Sequence, residues 1–494
     1  MEDSQEIVKT PLTNTVVFIC IIAGSAGLMF GYDISVIGGV VMMRPFLKKF
    51  FPTILVRMLD AKHDQYCLFN SHKLTALSSS MFIAGSVSAL LSGCVTSVMG
   101  RKLSLVTAGI LYLAGSSLGV FALNVDMLIA SRLFVGFGIG FANQAAPVYI
   151  AEMAPTKSRG ALTTAFQFFI CLGALIASLA NFAANYSGND NGWRLALGGG
   201  SVPAIILTTG ALFIPDTPLS LIQRGMEDEA QATLTRVRST REEAEAEMRD
   251  LMSFSGAAKS RHENPYTKIM EPQYTPQLVL TIAIAGFQKL TGVGIIAFYA
   301  PVVMRTIGIE AAGALLAAVV LGIVNLVSVL VSAYMVDNIG RRLLFLQGGV
   351  QIIFAQVFIA CTLALQSERL IGVLPYNYGI VVLVLMCLIS SAFGWSWGPL
   401  TWLVPSEILP VEVRAAGTGI GVATNFIITF LLNQLAMEML CAMKFGLFLF
   451  YGATTLFMTT FIGVFLPETK GVPLENMDEV WGKHWYWKCT SDSW

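Results

Sequence analysis

The stretch VVFICIIAGSAGLMFGYDISVIGGVVM, Val16–Met42, stays apolar for longer than the roughly 20 residues a helix needs to cross a bilayer, yet it carries one acid, Asp33. An ionised group at that depth costs several kcal/mol unless it is paired or protonated, so an acid there is a functional candidate by default. The only comparably placed cation nearby in sequence is Arg132, in Ala130-Ser131-Arg132-Leu133-Phe134 of the fourth apolar run. An acid that gains or loses its proton as an arginine moves out of or into reach couples proton flow to a change of shape.

Outward from this run, the 494 residues are 55% hydrophobic and 13% charged, with a mean hydropathy of +0.68. A soluble domain carries about 25% charged residues, so most of this chain faces lipid. Twelve apolar runs begin near Thr15, Leu74, Leu103, Met127, Leu162, Trp193, Leu278, Gly313, Leu343, Tyr378, Ala415 and Phe445. Continuous rather than alternating apolar runs predict helices, not barrel strands, and hence an all-α membrane protein with twelve transmembrane helices. The acidic start Met1-Glu2-Asp3-Ser4 has no basic region before the first run, so a cleavable signal peptide is not expected and the first span stays as an anchor. A formal net charge of zero argues against a general nucleic-acid partner.

Lysine and arginine gather in alternate loops: Arg101-Lys102, Lys157 to Arg159, Arg224 to Arg261, Arg341-Arg342, Arg414, and Lys483 and Lys488 in the tail. The positive-inside rule makes these loops cytoplasmic and, with an even number of spans, both termini as well. Lys48 to His72 is basic on the other side and reads as a folded external cap. The expected domains are a tail at 1–14, a six-helix half at 15–213 with its lid at about 44–73, a linker at 214–276, a second half at 277–466 and a tail at 467–494.

Three marks repeat between the halves. Gly100-Arg101-Lys102 after the second span returns as Gly340-Arg341-Arg342 after the eighth. Glu152 and Arg159 after the fourth return as Glu407 and Arg414 after the tenth, with the same spacing. Pro215-Asp216-Thr217-Pro218 after the sixth returns as Pro467-Glu468-Thr469-Lys470 after the twelfth. Any one of them is an ordinary basic loop, but three in register predict two six-helix halves. These acids and arginines are expected to close the cytoplasmic ends by ion pairs, with Asp337 keeping an acid where the first copy has Ser97.

The linker from Ile222 to Glu271 mixes many charges with scattered apolar residues, which fits short amphipathic helices or a solvated connection. Of eight cysteines, Cys67 and Cys441 alone combine the expected external side with two separate elements, although residues alone leave connectivity open. Asn185-Tyr186-Ser187 is a glycosylation sequon close to the membrane and is expected to go unused. No Cys/His spacing predicts a metal site, and four scattered histidines with no nucleophile elbow or phosphate-cradling loop predict no catalytic residues and no enzyme.

The marks above, with Gly136-Phe137-Gly138-Ile139-Gly140-Phe141-Ala142-Asn143-Gln144 and Pro147 to Pro155, resemble the sugar porters of the major facilitator superfamily. Gln65-Tyr66-Cys67, Pro215 to Leu221, Trp395 to Glu407 and Met443 to Phe448 are similar to one branch, the plant monosaccharide/proton symporters. The resemblance runs from about Val16 to Trp487. It implies the major facilitator fold and proton-coupled import of a monosaccharide such as a hexose. It further implies a monomer in the plasma membrane, with no cofactor beyond the coupling proton. By the same resemblance Asp33 is the proton carrier and Arg132 its partner, while Cys67 and Cys441 pin the lid. Gln167, Gln288, Asn325, Trp402 and Asn425 fall at sugar-contacting positions, and Phe30 at a lid-facing one.

These residue types also make sense chemically. Amides offer a sugar hydroxyl both donor and acceptor without adding charge, and an indole gives a pyranose a flat apolar surface. Interhelical glue and packing are the competing roles for such residues. The chain departs from the family at two positions: Lys289 replaces a second glutamine, and Gly294 an asparagine. Those departures motivate two alternatives, a transport-impaired sensor or regulatory protein and a carrier of altered, acidic substrate.

Overall fold

The computed structural model describes residues 13–41, 43–60, 72–155, 158–187, 189–258, 264–294, 311–367, 376–443, 445–470 and 477–488, and all regular structure in them is helical. Cys67 lies outside this set, and the Cys441 side chain is likewise not described.

The first six spans are Asn14–Val40, His72–Met99, Arg101–Val120, Val125–Met153, Arg159–Tyr186 and Gly192–Phe213. The second six are Thr275–Leu290, Ala311–Ile339, Arg341–Ser367, Asn377–Ile408, Arg414–Met443 and Gly446–Phe465. Among the described residues, 11 helices are long and apolar enough to cross a membrane. The seventh span is outside that count because only its first 16 residues form the described helix, Thr275–Leu290, and residues 295–310 lie outside the described set. Two spans are broken. The sixth consists of Gly192–Gly199 and Ser201–Phe213, and the tenth of Tyr376–Trp395 and Trp397–Ile408.

Phe18, Ile110, Phe213, Tyr334, Val350 and Phe457 point outward and are more than half exposed, a surface suited to lipid rather than water. Within the first half, the first span packs on the fifth, and the second and third pack on the fourth. In the second half, the ninth packs on the twelfth and tenth, and the eighth on the tenth. The halves meet where the second span lies on the eleventh and the fifth on the eighth.

The repeated marks have a common geometry. Gly100 and Gly340 have φ of 93° and 105°, a region that side chains rarely adopt, and each turns the chain sharply into the next span. The freed N–H groups of Arg101 and Lys102 donate to Asp216 Oδ1 at 3.1 and 3.2 Å. Those of Arg341 and Arg342 donate to the Glu468 carboxylate at 2.8 and 3.0 Å. The third and ninth spans therefore start on a carboxylate supplied from the end of their own half, where the helix dipole favours negative charge.

At the far end of the first half, the short helices Arg44–Phe50 and Pro52–Asp60 sit on it through Phe46, Leu47, Phe51 and Ile54, packed with Trp193. Lys49 donates to the Ala122 carbonyl at 3.2 Å. The linker folds into Glu227–Val237 and Arg241–Ala258 around Leu234, Ala244 and Met248. Arg238 ties it to the end of the fourth span, donating to the Met153 carbonyl at 2.9 Å while pairing with Glu247.

A Cβ on Gly100 would stand 1.9 Å from Asp216 Oδ2, whereas one on Gly38 meets nothing within 4 Å. Gly100→Ala is expected to cost about 1–3 kcal/mol in backbone strain. The thermal midpoint of the detergent-solubilised protein, read by size-exclusion after heating, should fall for Gly100→Ala and hold for Gly38→Ala.

Candidate functional site

Asp33 lies two turns before the end of the first span and Arg132 two turns into the fourth, and both are 3% exposed. Arg132 Nη1 donates to Asp33 Oδ1 at 2.8 Å and Nη2 to Oδ2 at 2.6 Å, a bidentate pair. Nη2 also reaches Met81 Sδ at 3.4 Å. A small enclosed pocket adjoins the pair, lined by Tyr112, Ser116 and Ser131 on one side and by Phe46 of the cap on another. Those hydroxyls were not singled out in the sequence, because serine and tyrosine in an apolar run carry no pattern of their own. Each charge here is held by the other: removing one partner of such a buried pair typically costs about 3–5 kcal/mol.

Gln167 and Trp402 meet across the two halves. The indole Nε1 donates to Gln167 Oε1 at 2.9 Å, and the Phe166 ring lies edge-on to the indole at 5.3 Å. Gln288 is held within the second half. Its Nε2 donates to the Gly398 carbonyl at 3.1 Å, beside the break in the tenth span, and its Oε1 accepts from Asn425 Nδ2 at 2.9 Å. Asn425 also donates to the Ala285 carbonyl at 2.8 Å. Buried Oδ1 atoms of Asn425 and Asn325 have no hydrogen-bond partner, so acceptors remain open near the amide cluster and on the eighth span. No hydrogen bond joins Asn325 to the other four sugar-site candidates; it packs on Gly394 of the tenth span.

Phe30 links the proton pair to this region. One turn before Asp33, its ring makes an edge contact with Phe426 at 5.6 Å, and Lys289 Nζ of the other half stands 5.8 Å from its centroid. Phe426 had no sequence signal beyond its place next to Asn425. Gly294 is exposed, with no described residue within 4 Å of where a Cβ would be.

One end of the molecule collects the repeated charges. Arg101 pairs with Glu152 at 3.0 Å and Thr217 Oγ1 donates to the same carboxylate at 2.6 Å. In the second copy Arg341 pairs with Glu407 at 2.7 Å and Thr469 Oγ1 donates to it at 2.9 Å. Asp337 adds a second acid to Arg341 at 3.2 Å, whereas the Ser97 hydroxyl turns back on the Cys94 carbonyl of its own helix. Arg414 of the second half reaches Glu152 of the first at 3.7 Å, and the Arg159 charge acts on Glu407. Gln144 Nε2 donates to the Ala415 carbonyl at 3.1 Å, and Tyr266 of the linker donates to the Leu90 carbonyl at 2.6 Å. Of these contacts, those of Arg414, Arg159 and Gln144 cross between the halves and hold them together at this end.

The arrangement is a buried acid with its counter-charge on another span, beside polar groups shared by two bundles that touch firmly at one end. Such an arrangement can hold a proton at Asp33 and offers hydrogen bonds to a polar solute. Comparison with known proteins agrees. The family model described as "Sugar (and other) transporter" matches residues 19–481. Sugar transport protein MST7 of Oryza sativa subsp. japonica is 46% identical over 479 residues, which are 96% of this chain and 93% of that protein. Sugar transport protein 12 of Arabidopsis thaliana is 47% identical over 485 residues, 98% of this chain and 95% of that one. The fold is shared with the major facilitator superfamily proton:xylose symporter XylE bound to 6-bromo-6-deoxy-D-glucose. That match has a TM-score of 0.80 and 24% identity over 94% of this chain and 99% of the other. The chain is an integral membrane protein of twelve helices in two halves and belongs to the sugar transporter family.

Proposed function

We propose that the protein imports a monosaccharide, a hexose in the first instance, together with a proton by alternating access. The observation that carries this reading is the Asp33–Arg132 pair, buried at span depth and one turn from a ring that touches the opposite half. Proton uptake by Asp33 neutralises the acid and frees Arg132. The first and fourth spans then adjust, and the two halves close around sugar held by Gln167, Gln288, Asn325, Trp402 and Asn425. Opening at the end marked by Arg101, Glu152, Arg159, Asp337, Arg341, Glu407 and Arg414 releases sugar and proton, and the restored ion pair resets the carrier.

In this reading the marked end is cytoplasmic, along with both termini, and the carrier works as a monomer in the plasma membrane with the proton as its only coupling ion. A Cys67–Cys441 disulfide ties the external cap to the second half. Support comes from the names of the relatives, which are called sugar transport proteins, and of the structural neighbour, which is called a proton:xylose symporter. One proton entering down 100 mV contributes about 2.3 kcal/mol, enough for about fiftyfold accumulation of a neutral sugar.

Asp33→Asn removes the titrating group while keeping the shape. In cells lacking their own hexose carriers, labelled hexose should equilibrate in this variant without accumulating, and pH-dependent accumulation equal to the parent's would refute the coupling. Gly294→Asn places an amide where the structure leaves open space. It is expected to lower the hexose KM several-fold, as one added hydrogen bond of about 1 kcal/mol would, without loss of thermal stability. An unchanged KM would place residue 294 outside the sugar site.

A further inference from the structure

Lys289 is the cation that the proton mechanism does not use. It sits at the end of the described helix Thr275–Leu290, next to Gln288, whose amide is held by Asn425 and the broken tenth span. Its ammonium crosses to the other half and stands over the Phe30 ring, and among the described residues it has no hydrogen bond and no carboxylate within ion-pair distance. Among the described acids, Asp33 is committed to Arg132 through both oxygens, and Glu152 and Glu407 are paired at the marked end. A ring face contributes about 0.5–2 kcal/mol to a cation, far less than the several kcal/mol that taking an ammonium out of water costs. The charge therefore wants an anion, and its neighbour Gln288 is one of the residues assigned to the solute in the proposed cycle.

We infer that Lys289 is a specificity residue that recognises a carboxylate on the sugar, so that the carrier accepts a sugar acid, a uronate or aldonate, alongside neutral hexose. The ring of such a ligand uses the same amides and indole as a hexose, while its carboxylate meets the Lys289 ammonium in a charge-assisted bond. Gly294, five residues onward, has no described atom within 4 Å of where a Cβ would stand. The inference rests on the reading of this region as the sugar site. It also has a consequence for energetics. A hexose imported with one proton carries one positive charge, whereas a monovalent sugar acid imported with one proton carries none.

The test is inhibition of labelled hexose uptake by D-glucuronate, D-glucose and acetate at one external pH, in the parent, Lys289→Gln and Lys289→Arg, each referred to its own hexose KM. Glucuronate should inhibit the parent and Lys289→Arg, and should need about tenfold more to inhibit Lys289→Gln, as loss of a charge-assisted bond of about 1.4 kcal/mol implies. Labelled glucuronate should also enter parent cells, with an uptake that depolarisation does not reduce although hexose uptake falls. Glucuronate that fails to inhibit the parent, inhibits Lys289→Gln equally, or does no better than acetate overturns the inference and leaves the hexose carrier standing. A parent that reaches the cell surface and transports neither ligand overturns the carrier reading, and the inference with it.

Discussion

A carboxylate and a guanidinium locked together inside a membrane protein set the terms for everything around them. Asp33 and Arg132 share two hydrogen bonds with almost no exposure, so neither ionised group is tolerable alone. The pair therefore ties the first span to the fourth while the acid is charged, and the proposed cycle releases them when the acid is neutral. The cap reinforces the constraint. Phe46 lines the pocket beside the pair, and its helix is fixed to the first half through Trp193.

The opposite end works by the same physics with the opposite emphasis. There the carboxylates of Asp216 and Glu468 each satisfy a helix start, and Glu152 and Glu407 each hold an arginine and a threonine of their own half. Those bonds keep each bundle rigid. The longer reach from Arg414 to Glu152 and the Gln144 contact with the Ala415 carbonyl join one bundle to the other at this end. Strong bonds within a half and weaker ones between halves allow two stiff bodies to rock without unfolding.

Much of this was legible in the sequence because the membrane imposes simple rules. Twelve apolar runs, one deep acid, one deep arginine and three marks in register each follow from the cost of burying polarity, which leaves a clear trace in residue type. What stayed hidden depends on long-range geometry. The chain breaks at Gly200 and Ser396 lie inside continuous apolar runs, and Gln288 binds the Gly398 carbonyl just past the second of them. The amide of Gln167 turns to an indole 235 residues away, and the Asp216 and Glu468 carboxylates cap helices more than a hundred residues before them. Asn325 shares spacing logic with the other amides but not their hydrogen bonds. Lys289 could be flagged as out of place by its type, whereas its position over Phe30 emerges only when the two halves are assembled.

The protonation state of Asp33 is open to direct observation by infrared difference spectroscopy on the purified carrier, with hexose added at acidic pH. A protonated-carboxyl stretch that grows on binding and is missing from Asp33→Asn is the expected result. Full hexose binding with no such band, Asp33 remaining ionised against Arg132 throughout, would contradict the coupling at its source.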